Sequence, residues 1–134
     1  MTPERPTNTG NPAIATILVV EDDPAVRQAA VWVLRLFGFD TREAEDGPSA
    51  LDILESETAI DLLFSDVVMP RAMNGVDLAR QARRLRPGLK VLLTTGYSQA
   101  DIDLAELGEG GVGLITKPYS NRDLERKIRI LLEG

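Results

Sequence analysis

Four short apolar runs, each cut off by a polar residue, constrain this chain more than anything else in it. They are ATILVV (15–20), DLLFS (61–65), KVLLT (90–94) and VGLIT (112–116), and 39–43 is a weak fifth strand candidate. Continuous apolar runs of this length suit strands covered on both faces better than strands with one wet face. Between the runs, apolar residues return at helical spacing. Asp23 is an N-cap before a first-turn Pro24, and Val26, Ala29, Ala30, Val33, Leu34 and Phe37 follow before Gly38 closes the helix. Gly47 and Pro48 open a second helix with Ala50, Leu51, Ile53 and Leu54. Asn74 and Gly75 lead into a third with Val76, Leu78, Ala79, Ala82 and Leu85, ended by Pro87 and Gly88. A poorer pattern spans 99–107, and a last helix runs from Asp123 to Leu132. Strands alternating with helices predict an α/β fold: a doubly wound, five-stranded parallel sheet flanked by five helices.

The run at 61–65 ends on Asp66, and a charge at the end of a buried strand needs a cation or a donor. In open parallel sheets, sites gather beyond the carboxyl ends of the strands. There, in chain order, the first predicted strand ends on Glu21 and Asp22, the third on Asp66, the fourth on Thr95 and the fifth on Lys117. Four turns that bring an acid pair, an acid, a hydroxyl and an amine to one edge point to one site.

Composition narrows the chemistry. The 134 residues, 43% of them apolar, suit one domain, read as 14–134 behind a tail at 1–13 that is rich in Pro, Thr, Asn and Gly. The absence of Cys and His excludes disulfides, thiolate metal sites and histidine acid–base chemistry, leaving carboxylates, hydroxyls and amines. A net charge of -6 disfavours a nucleic-acid surface. Nothing resembles a membrane span or a signal peptide, so a soluble, cytoplasmic chain is expected.

Three carboxylates drawn together would repel unless a cation joined them. Mg²⁺, which takes one or two carboxylates with water and phosphate, fits that set. A metal-held Asp66 beside the Lys117 ammonium is a reasonable phosphoryl acceptor, because both cations offset charge on the transferring oxygens. Thr95 can hydrogen-bond a phosphoryl oxygen. Taken singly these residues have plainer roles: capping for the acid pair, a turn for Asp66, a strand end for Thr95 and a solvated amine for Lys117. Capping is better assigned to Asp23, and the shared edge favours the site. Trp32 and Phe37, on a helix face, read as packing.

The segments VVEDDP, SDVVMP followed by NG, TTGY and TKPY resemble the receiver domains of bacterial two-component response regulators, over roughly 15–134. The resemblance implies a flavodoxin-like fold of receiver type, in which Asp66 accepts phosphate from a histidine kinase or histidine phosphotransfer protein. It also implies Mg²⁺ held directly by Asp22 and Asp66, by Glu21 through water and by the Val68 backbone carbonyl. Thr95 and Lys117 would contact the phosphoryl group, and the Lys117–Pro118 peptide would be cis. Such a domain assists its own phosphorylation and dephosphorylation but is not an enzyme that turns over a substrate.

Three features depart from the common pattern. Three residues rather than two separate Pro70 from Asn74, as in receivers attached to hybrid kinases and in some stand-alone ones. Leu114 stands where many receivers carry a switching aromatic, which makes Tyr97 and the segment to Gly111 the expected route of output. Val68 and Tyr97 flank the acceptor with apolar bulk, from which a slowly hydrolysing acyl phosphate is expected. The chain reads as a stand-alone receiver acting through an unknown output protein, with no direct nucleic-acid or membrane partner. The alternatives are a receiver excised from a hybrid histidine kinase and an aspartate-nucleophile phosphatase. The latter needs a second carboxylate where Val68 stands.

Overall fold

The computed structural model describes residues 14–56, 59–69, 73–96 and 110–134. Its strands are β1 (Thr16–Val20), β2 (Asp40–Ala44), β3 (Leu62–Asp66), β4 (Lys90–Thr95) and β5 (Val112–Thr116). Its helices are α1 (Pro24–Leu36), α2 (Gly47–Ser56), α3 (Gly75–Leu85) and α4 (Asn121–Glu133). All strand pairs are parallel, in the order β2-β1-β3-β4-β5. The expected helix over 99–107 lies outside the described residues, so four of the five predicted helices are seen.

Each face of the sheet carries its own core because strand side chains alternate. On one face Leu18, Val20, Leu63, Val91 and Leu93 pack against Ala50 and Leu54 of α2 and Leu78, Ala79 and Ala82 of α3. On the other, Ile17, Val19, Leu62, Phe64, Leu92 and Ile115 pack against Val31 and Leu34 of α1 and Leu124 and Ile128 of α4. The chain reverses direction across the sheet at β1, leaving a crevice between β1 and β3 at their carboxyl ends.

The helix ends follow from local chemistry. Asp23 accepts hydrogen bonds from the Ala25 and Val26 amides at 2.8 and 3.3 Å. Gly38 ends α1 with φ at 99°, a conformation that costs a side chain dearly and glycine little. Ser120 caps α4 two residues earlier than predicted, accepting from the Asp123 amide at 3.0 Å. Asn74 and Asp77 form a reciprocal capping box on α3, the Asn74 side-chain Oδ1 accepting from the Asp77 amide at 2.8 Å. Replacing Asn74 with Ala is expected to cost about 1 kcal/mol in urea unfolding, with an unchanged m-value.

Two expectations for α1 change. Its buried contacts are made by Val31 and Leu34, while Val26 is exposed. Trp32, read as packing, is 65% exposed because it lies on the opposite side of the helix from Leu34. Phe37 does pack, edge-on to Phe39 with ring centres 6.5 Å apart. Arg129 of α4 stacks 4.9 Å over the Phe39 ring and donates to the Phe37 carbonyl at 3.0 Å. This clasp ties α4 to the α1–β2 turn at the end of the sheet far from the carboxyl edge.

Candidate phosphoryl-acceptor site

Strand alternation decides which polar groups meet. Ile17 and Val19 put Glu21 on the α1/α4 face, Leu62 and Phe64 put Asp66 there, and Ile115 does the same for Lys117. The Lys117 ammonium donates to the Asp66 Oδ2 at 2.9 Å, with the two side chains 39% and 14% exposed. The Lys117–Pro118 peptide is cis, as the resemblance implies.

Glu21 sits at the end of β1, where its amide donates to the Ala44 carbonyl at 3.1 Å and its carboxylate accepts from the Asp23 amide at 2.9 Å. Arg27 donates to the Glu21 carbonyl at 2.7 Å and to the Glu43 carboxylate at 3.3 Å, pinning this turn to β2. No sequence motif signalled that tether; only its position one turn into α1 places it there. Burial raises the Glu21 pKa above its ordinary 4.5. The Asp22 side-chain hydrogen bond and the charges of Asp66 and Asp22 act in the same direction, against the Asp23 amide. Burial acts to lower the Lys117 ammonium, but the hydrogen bond and charge of Asp66, helped by Glu21, carry it above the ordinary lysine value.

The carboxylates do not converge as a set of three. Asp22 is exposed, and among the described residues no three carboxylates stand close enough to hold an ion by themselves. An open set of this kind still suits Mg²⁺, which keeps several waters and shares its shell with phosphate oxygens. The accumulated negative charge that raises Glu21 is what such an ion would offset. Val68 opens the loop beyond Asp66 and is 64% exposed, within reach of the same edge.

Thr95 is buried and its hydroxyl donates to the neighbouring Gly96 carbonyl at 3.2 Å. Its neighbour Thr94, not singled out in the sequence, is the β4 residue in register with Asp66. Thr94, Glu21, Asp66, Lys117 and Tyr119 line a cavity of about 20 Å³. Burial raises the pKa of the Tyr119 hydroxyl, which helps keep that wall of the cavity neutral. Pro70, Arg71, Ala72 and Tyr97 lie outside the described residues. Leu114 is half-buried and packs against the α2/α3 core.

Comparison with known proteins agrees with this geometry. The family model described as "Response regulator receiver domain" matches residues 17–129. The response regulator receiver protein CpdR of Brucella abortus is 33% identical over 116 residues, 87% of this chain and 95% of that protein. The sensor kinase CckA of the same organism is 35% identical over 120 residues, 89% of this chain but 13% of the kinase. The chain spans about half of the mycobacterial regulator TcrX. Among solved structures, the receiver domain of the hybrid histidine kinase CckA superposes with a TM-score of 0.73 at 35% identity, covering 88% of this chain and 99% of that one. A receiver domain protein from Clostridium thermocellum gives 0.82 at 26% identity, covering 90% and 95%. With β3 delivering an aspartate to a lysine from β5, and with the family match running from β1 into α4, the chain belongs to the response regulator receiver domain family of two-component systems.

Proposed function

We propose that Asp66 is the phosphoryl acceptor of this receiver and that a histidine kinase or histidine phosphotransfer protein is its donor. The observation that carries the reading is the 2.9 Å contact of Asp66 with Lys117 at the crevice between β1 and β3. An Asp66 Oδ attacks phosphorus, the donor's P–N bond breaks, and the departing imidazole nitrogen takes a proton. The product is an acyl phosphate on Asp66. Lys117 holds the carboxylate before attack and turns to a phosphoryl oxygen after it, so the same cation serves reactant and product. Thr95 supplies a hydroxyl to the phosphoryl group once it leaves the Gly96 carbonyl.

Mg²⁺ would be held by Asp22 and Asp66, by Glu21 through water and by the Val68 carbonyl, and it supplies charge neutralisation for the incoming phosphoryl oxygens. Phosphorylation then biases an existing equilibrium between two conformations. The test is labelling with phosphoramidate, with Mg²⁺ or with excess EDTA, followed by mass-spectrometric mapping of the modified residue. One phosphoryl group on Asp66, lost with EDTA, is expected. A label elsewhere, or one indifferent to EDTA, refutes the assignment.

Val68 bears on lifetime. Its exposed isopropyl group beside the acceptor offers an attacking water nothing to bond, so the acyl phosphate should persist. Val68→Asn is expected to speed its hydrolysis several-fold, read as loss of label after the donor is removed.

A further inference from the structure

The cavity beside the acceptor contains a group that the proposed chemistry does not use. Thr94 is 5% exposed, and its Oγ1 is buried with no hydrogen-bond partner among the described residues. Leaving a hydroxyl bare in the interior is costly, and valine would fill the same space without that cost. Thr94 lines a cavity of about 20 Å³ whose other polar walls are Glu21, Asp66, Lys117 and Tyr119 and whose remaining walls are apolar, Phe64 and Val19 among them. That volume fits one water molecule, and a buried water needs two to four polar partners, which these walls supply.

We propose that Thr94 anchors a single internal water that bridges its hydroxyl to the Asp66–Lys117 pair, making Thr94 a positioning residue for the acceptor. The inference rests on Asp66 being that acceptor. Lys117 has three protons and gives one to Asp66 Oδ2. A water bonded to the ammonium and to Thr94 adds a second restraint, from β4, to the one that β3 provides. Because Asp66 and Thr94 are in register, the two restraints lie side by side. The ammonium is thereby held near the acceptor when its partner changes from carboxylate to phosphoryl oxygen.

The experiment pairs high-resolution crystal structures with phosphoramidate labelling of the full chain for wild type, Thr94→Val and Thr94→Ser. In wild type one ordered water is expected within hydrogen-bond distance of Thr94 Oγ1. In Thr94→Val it is lost and labelling slows by about tenfold, the scale of one hydrogen bond to a charged group. Thr94→Ser, which keeps the hydroxyl, restores both. A dry cavity in the wild type overturns the proposal, as does Thr94→Val labelling at the wild-type rate, the behaviour of a merely structural threonine. Wild type that takes no label on Asp66 would instead sink the acceptor assignment, and the crystal structures still decide the water.

Discussion

Asp66→Asn should take no phosphoryl group from phosphoramidate or from a cognate donor, while folding as the wild type does. The amide keeps the shape of the side chain and can accept from Lys117, but it has no anionic oxygen to attack phosphorus. Asp66 also contributes to the charge that raises Glu21, behind the larger effect of burial. In the variant, without metal, the Glu21 carboxyl should therefore titrate closer to its ordinary 4.5, measured by NMR of the side-chain carbon. The sign for stability follows. A carboxyl whose folded pKa is raised holds its proton longer in the native state, so stability falls as pH rises from 4.5 through the folded value. Asp66→Asn should make that fall smaller. A Glu21 titration unchanged by the substitution would show that the two carboxyls do not share an environment.

Gly75→Ala should destabilise the fold by about 2 to 3 kcal/mol, on the scale of an overpacked core, and impair phosphoryl acceptance as well. A β-carbon at Gly75 would run into the Asp66 carbonyl oxygen and lie 2.8 Å from the Val67 Cα. Both are backbone, so neither can yield by changing rotamer. The Gly75 amide also donates to the Val67 carbonyl at 2.7 Å, which leaves α3 no room to retreat without losing that bond. The strain therefore falls on the peptide that carries the acceptor. Urea unfolding measures the first effect and labelling the second. Gly88→Ala, where nothing stands within 4 Å of the added carbon, is the control and should change neither. Equal behaviour of the two variants would refute the close approach.

Much of this was legible because strand ends and caps are local signals. The apolar runs ending at Val20, Asp66 and Thr95 marked both the strands and the edge on which the site lies, and Asp23 and Gly38 bounded α1 as read. What escaped the reading depends on parity and on tertiary contact. Counting by twos from Phe64 to Asp66 and from Leu92 to Thr94 would have singled out Thr94 as the β4 residue on the cavity wall beside Asp66, with Thr95 left at the carboxyl edge of the sheet. Trp32 looked like core because apolar residues occupy nearly every side of α1, so periodicity could not tell its inner face from its outer one. The Arg27 tether carries no sequence signature at all, since it joins carbonyl and carboxylate groups from two strands.

The clasp of Arg129 on Phe37 and Phe39 has a mechanical meaning. It rivets α4 to the α1–β2 turn at the sheet's far end, whereas at the carboxyl end α4 follows directly from the segment carrying Lys117. If Lys117 changes partners on phosphorylation, the expected response of α4 is larger near Ser120 than near Arg129, read as chemical-shift change along the helix on labelling.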